Sequence, residues 1–184
     1  MKPTGIVRRI DELGRIVVPK ELRRSLRIRE GDPVEIYVEP DGSIVLKKYS
    51  PVGQLKSVAD DMVESLAIGS GQVAMIFDRD TAIAAAGAAG VKIVGRPVGR
   101  AVEKAMAERQ VLLVHYSGGG DASSILEDEG SDFMIVSAAI APIISDGDSL
   151  GAVVVGTTSD RWTVGDLEEK LVATAAGYIA RQVE

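Results

Sequence analysis

Gly5-Ile6-Val7-Arg8-Arg9-Ile10-Asp11-Glu12-Leu13-Gly14-Arg15-Ile16-Val17-Val18-Pro19-Lys20-Glu21-Leu22-Arg23-Arg24 holds two Ile/Val-rich runs, a turn and the start of a helix in one short segment. The β-branched enrichment predicts strands over 5–10 and 15–18, and 11–14 offers the Asp and Gly that turns favour. Pro19 suits the first turn of a helix, where its missing N–H would be unpaired in any case. From there Lys20, Arg23, Arg24 and Arg27 recur at i, i+3, i+4 and i+7, one cationic stripe at about 3.6 residues per turn. Leu22 and Leu26 fall on the opposite side, so the helix is expected to rest on a core and offer a charged ridge to a polyanion. The best-matched polyanion is a nucleic-acid backbone. Two further strands are expected over 34–39 and 43–48, joined at Asp41-Gly42, which suits a tight hairpin. The order is ββαββ.

The chain as a whole is acidic, with a net charge of −6, but the acidity is unevenly spread. Residues 1–50 carry +3 and the remainder −9, and residues 2–29 alone hold nine cations against three acids. Attraction to a polyanion would originate in that basic head. There is no cysteine, which excludes disulfides, thiolate nucleophiles and Cys-ligated zinc and fits a reducing compartment. The N-terminus shows no apolar leader, and no apolar run reaches the roughly 18 residues a bilayer span needs. A soluble cytoplasmic protein with no membrane partner is expected.

The head has 16 Ile, Leu and Val residues but no Phe or Trp. A segment this small buries too little surface to be comfortably stable alone, so it is expected to fold as an interleaved homodimer. Ser50-Pro51-Val52-Gly53 interrupts the pattern with structure-breaking residues, marking 51–53 as a linker between a domain at 1–50 and one at 54–184. A helix follows, with Leu55, Val58, Ala59, Met62, Val63 and Leu66 at helical spacing and an end at 69–71. Strands are expected over 73–77, 81–86, 111–115, 133–144 and 150–157, with a helix over 97–108. A closing helix is expected after Thr163 as N-cap, its apolar face formed by Leu167, Leu171, Val172, Ala175, Ile179 and Val183. An antiparallel sheet flanked by terminal helices is an α+β module of sensor size. Its two end helices, with the small residues Ala173 to Gly177, invite a bundle with another subunit.

Thr4 to Arg24, continued by Gly31-Asp32 and Leu46-Lys47-Lys48-Tyr49, closely resembles the N-terminal DNA-binding domain of AbrB-type transition-state regulators. The resemblance covers essentially all of residues 1–50 and implies a swapped-hairpin β-barrel formed by two chains. The second half resembles a GAF domain through Pro142-Ile143-Ile144, Asp146-Gly147-Asp148, Gly151-Ala152-Val153-Val154 and Thr174 to Gln182. Taken position by position, the AbrB likeness implies that Arg8, Arg15, Arg23 and Arg24 contact double-stranded DNA, with Arg9 and Lys20 secondary. Each guanidinium offers a planar fork for phosphate oxygens or the guanine edge. Arg8 and Arg9 are adjacent on a strand and so point to opposite faces. The competing reading is a set of solvated surface charges, with Glu21 and Asp11 or Glu12 neutralising some of them.

An enzyme is poorly supported. His115 is the sole histidine, so a Ser–His–Asp triad or a His-paired metal site cannot be assembled within one chain. Asp78/Asp80 and Asp146/Asp148 flank turn sequences, where Asp serves backbone hydrogen bonding. Ser117-Gly118-Gly119-Gly120 lacks the Lys-Ser/Thr of a P-loop and reads as a flexible loop, with Glu127-Asp128-Glu129 its solvated continuation. An AbrB-like antitoxin is the other alternative, but its tail would be polar and poor in apolar residues. The expected function is a DNA-binding transcription regulator without cofactor or metal. It would be dimeric through the head and tetrameric through the C-terminal helices. Whether the second module senses a small-molecule effector or only assembles subunits is open. The Gly/Ala-rich run 82–90 suits either a pocket or close packing, and no effector-binding residue is singled out.

Overall fold

A computed structural model describes residues 4–88, 92–116, 124–127 and 133–183. The chain divides into two compact units, Met1–Tyr49 and Ser50–Glu184.

In the first unit a short helix α1 (Lys20–Ser25) precedes a hairpin of β1 (Val34–Val38) and β2 (Ile44–Lys48), paired from Val34↔Lys48 to Val38↔Ile44. Asp41 forms the hairpin turn, its Oδ1 accepting from the Ser43 N–H at 2.9 Å and the Ser43 hydroxyl at 2.6 Å. The expected strands at 5–10 and 15–18 are not strands within the chain. Among the described residues no ladder joins them to β1 or β2, and the chain there folds into a turn in which Asp11 N–H donates to Arg15 O at 3.1 Å. A strand exists only with a partner to pair, and this chain alone does not supply one. Val7, Ile10, Leu13, Ile16 and Val17 consequently stand in solvent, Val7 at 84% exposure.

The helix also stops earlier than the cationic stripe implies. Arg27 lies beyond it at φ 52, in the left-handed region. Its N–H donates to Arg24 O, and Ile28 N–H donates to Arg23 O at 2.8 Å. This crossed pair of bonds is the Schellman closure, here with arginine where glycine is usual.

Residues 51–53 are not a linker. Ser50 Oγ accepts from Gly53 N–H at 3.0 Å and caps a helical turn α2 (Pro51–Gln54). Val52 in that turn is fully buried in the second unit's core. Pro51 therefore starts a helix rather than breaking one. Next come α3 (Lys56–Ser70), β3 (Val73–Asp78), β4 (Ala82–Ala86), α4 (Arg100–Glu108), β5 (Leu112–His115), β6 (Ser137–Ser145), β7 (Asp148–Thr157) and α5 (Asp166–Val183). The five strands form one antiparallel sheet in the order β4-β3-β7-β6-β5.

Alternation along the strands feeds two cores. Ala74, Ile76, Ala139, Ala141, Val153 and Val155 face α3 and α5, while Met75, Phe77, Ala138, Ile140, Ala152 and Val154 face α4. Gly151 lies across from Asp78, where a Cβ would come within 2.1 Å of the Phe77 carbonyl oxygen. Of the run 82–90, Ala82 and Ala84 are packed in the cores, which favours close packing over a pocket; residues 89 and 90 lie outside the described residues, as do the loop 117–120 and Asp128-Glu129. The closing helix begins at Asp166, not after a Thr163 cap: the Glu168 carboxylate reaches back to the Gly165 N–H at 2.9 Å. No helix among the described residues is long and apolar enough to cross a membrane.

Candidate nucleic-acid interface

The charged side chains of the first unit fall into two groups. Lys20, Arg23 and Arg24 share α1; Arg27 does not, because its left-handed backbone takes it off the helix. Lys20 and Arg24 are exposed, whereas Arg23 is half-buried beside the half-buried Leu22. Arg23 Nε is buried and has no hydrogen-bond partner among the described residues, an arrangement that costs free energy unless something else satisfies it.

The second group straddles the 11–14 turn. Arg8 and Arg9 are exposed on its incoming arm, and Arg8 Nη1 donates locally to Val7 O at 3.1 Å. Arg15 stands on the outgoing arm, its Nε 2.8 Å from Asp11 Oδ2. Asp11, one of the acids placed by sequence to neutralise these cations, pairs with it. Asp11 does more than neutralise, since its Oδ1 accepts the N–H groups of Leu13 at 3.0 Å and Arg15 at 2.8 Å. The backbone N–H and the guanidinium of Arg15 hold the Asp11 carboxyl below the usual carboxylate range. Arg15 is thereby oriented and still 70% exposed. This bond occupies Nε, one of the five donors a guanidinium carries.

Two residues that the sequence offers only as part of the AbrB resemblance, and not as site residues, hold the helix exit. Lys48 Nζ donates to Arg27 O at 3.0 Å and lies 3.0 Å from Asp32 Oδ2. Their pairing follows from the β1–β2 register, because nothing local links positions 32 and 48.

The beta-hairpin faces are inverted. Val34, Ile36, Val38, Ile44 and Leu46 share one face and are exposed, Ile36 at 65%; Glu35, Tyr37 and Val45, on the other, are half-buried. Lys47 Nζ sits 4.6 Å from the Tyr37 ring centre on that second face.

The second unit presents a different chemistry. Among the described residues no group of three or more His, Cys, Asp or Glu side chains is placed to hold a metal. Asp78 Oδ1 accepts from the N–H groups of Asp80 and Thr81 at 2.8 and 2.7 Å, the turn role expected of it.

The chain thus combines a basic head with an acidic α/β/α unit, and comparisons with known proteins identify the class to which this combination belongs. The family described as "Stage V sporulation protein T C-terminal, transcription factor" matches residues 54–184. A second family, "Antidote-toxin recognition MazE, bacterial antitoxin", matches residues 7–54. Stage V sporulation protein T of Bacillus subtilis is 44% identical over 184 residues, covering 100% of this chain and 99% of that protein. The transition state regulatory protein AbrB of the same organism is 47% identical over 75 residues, 41% of this chain and 77% of that protein. In fold, the chain is similar to the GAF domain of an Acinetobacter phosphoenolpyruvate-protein phosphotransferase, with a TM-score of 0.58, 14% identity and coverage of 72% of this chain and 87% of that one. The chain belongs to the stage V sporulation protein T family of transcription factors, with an AbrB-like head and a second unit of GAF-like fold.

Proposed function

We propose that this chain regulates sporulation genes by gripping double-stranded DNA with a head formed by two intertwined copies. The inverted hairpin carries the reading. Its exposed apolar face and the exposed Val7, Ile10, Leu13, Ile16 and Val17 make a surface that water disfavours and a second copy would cover. Supplying the missing strand partners for 5–10 and 15–18 from the other copy would close the sheet into a barrel. The cations are then carried on the outside, and twofold symmetry doubles Arg8, Arg15, Arg23 and Arg24, with Arg9 and Lys20 flanking them.

If about six of the eight guanidiniums neutralise phosphates, log K falls against log salt with a slope of about −5. Fluorescence anisotropy on a duplex selected by the full chain from a random-sequence pool tests this. Arg24→Ala and Arg15→Ala should each weaken binding and flatten the slope by about 0.9 per lost phosphate contact, with the thermal transition retained. Unchanged affinity and slope in both variants refute the interface.

In the second unit, Ile68 on α3 and Leu167 and Tyr178 on α5 are exposed apolar positions on the two end helices. Packing these helices against those of another dimer would give a homotetramer in the cytoplasm. The antitoxin likeness stops at residue 54 and leaves the five-stranded unit without a role.

A further inference from the structure

Helix α1 has six residues and no fully buried one, well short of the length at which a helix holds itself together. Its direction must therefore come from whatever fixes its ends. At the exit, Arg27 sits at φ 52 and turns the chain back, and its carbonyl oxygen points to Lys48 Nζ at 3.0 Å. The same ammonium lies 3.0 Å from Asp32 Oδ2, with the two side chains only 17% and 9% exposed. Asp32 Oδ2 in turn accepts the Arg29 N–H at 2.7 Å. Lys48 is the last residue of β2 and is locked in register opposite Val34, a position reinforced by Tyr49 N–H to Pro33 O at 2.9 Å. One ammonium and one carboxylate thus tie the end of the helix, the loop after it and the hairpin to a common point.

We propose that Asp32 and Lys48 are positioning residues for DNA recognition: their shielded ion pair fixes the direction of α1, and through it the angle at which Arg23 and Arg24 meet the duplex. The inference rests on the DNA-binding reading above. It makes a prediction opposite in sign to simple charge counting. Asp32 is an acid in a domain that must approach a polyanion, so deleting its charge should tighten binding if charge alone matters. If the pair acts as a clasp, the same deletion loosens binding, because the arginines are no longer held at one angle.

The test measures the full chain's affinity for the selected duplex and for a random-sequence duplex across a salt series, with a melting curve for every variant. Asp32→Asn is expected to bind the selected duplex about tenfold more weakly, to lose less on the random duplex, and to keep its melting transition. Lys48→Met should weaken binding similarly with the wild-type salt slope, and Lys48→Arg should restore affinity. Tighter or unchanged binding by Asp32→Asn overturns the proposal. So does a slope flattened by about 0.9 in Lys48→Met, which would make Lys48 a phosphate contact. Loss of binding that merely follows loss of the folded transition in both Asp32→Asn and Lys48→Met also overturns it, since the pair would then serve stability alone. Arg24→Ala and Arg15→Ala separate the two levels: if both leave affinity and slope unchanged, the DNA reading itself has failed. If they weaken binding while Asp32→Asn does not, only the clasp has failed.

Discussion

An isolated fragment of residues 1–50, melted at two concentrations about a hundredfold apart, should unfold at two different temperatures. A folded monomer melts independently of concentration, whereas an obligate dimer is favoured by mass action, and a hundredfold change corresponds to about 2.7 kcal/mol. For a pair of such fragments, together the size of a small domain, that free energy moves the midpoint by roughly 10–20 °C. The surface responsible can be tested in the same assay. Full burial of an Ile contributes about 1.5–3 kcal/mol, and Ile36 leaves 65% of its surface exposed in the single chain, so covering it is worth about 1–2 kcal/mol per copy and about 2–4 per dimer. Ile36→Ala should therefore weaken dimerisation by roughly thirtyfold to several hundredfold and lower the midpoint at fixed concentration. Circular dichroism gives the midpoints and sedimentation equilibrium the mass. A concentration-independent midpoint with a monomer mass would remove the intertwined head, because the exposed hairpin face would then be stable in water without a cover.

Arg27→Gly should stabilise the head by about 0.5–1 kcal/mol, since glycine adopts the left-handed conformation at φ 52 without the Cβ penalty and loses only part of that gain to unfolded-state entropy; urea unfolding of the full chain's first transition measures it, and destabilisation would mean the Arg27 side chain matters more than its backbone. Asp11 should titrate below the usual carboxylate range, because hydrogen bonds from the backbone N–H and guanidinium of Arg15 favour its charged form. Its folded pKa is depressed, so the turn's contribution is fully present above the ordinary carboxylate pKa and is lost as pH falls through the lowered value. Carboxyl carbon NMR shifts against pH give the midpoint, and one at or above the ordinary Asp value contradicts the pairing.

The five-stranded unit was largely legible because its three central strands, β3, β7 and β6, are covered on both faces. Such strands read as unbroken apolar runs, and Val73-Ala74-Met75-Ile76-Phe77 and Ala152-Val153-Val154-Val155 are of that kind, each residue buried. Its boundaries were less legible. Pro51 and Gly53 read as breakers because the deciding facts, a Ser50 cap and a buried Val52, depend on a core that forms only when the whole unit is folded. Thr163 had the right residue type for a cap, yet the neighbouring Val164 N–H is held by Ser137 Oγ at 3.2 Å, and the helix begins only after Gly165. Propensity ranks the candidates for a helix start, and tertiary hydrogen bonds choose among them.

In the head the residue types were readable and their grouping was not. An arginine in sequence declares a fixed charge and a planar fork of donors, but whether Arg27 joins Arg23 and Arg24 on one stripe depends on where the helix stops. It stops by a closure that usually advertises itself with glycine and here does so with arginine. The strands at 5–10 and 15–18 illustrate a second limit. Their composition is right for strands, and the described chain leaves them unpaired, so pattern and single-chain structure disagree there. That disagreement is informative: an apolar, strand-forming segment left in water beside a hairpin with its apolar face outward is the surface that the proposed second copy would cover. The same segment carries Arg8, Arg9 and Arg15, so in the proposed dimer the act that buries the apolar face would also fix where those cations stand. On that proposal dimerisation and DNA recognition are one property of the head, and a variant that breaks the first without touching an arginine should abolish the second.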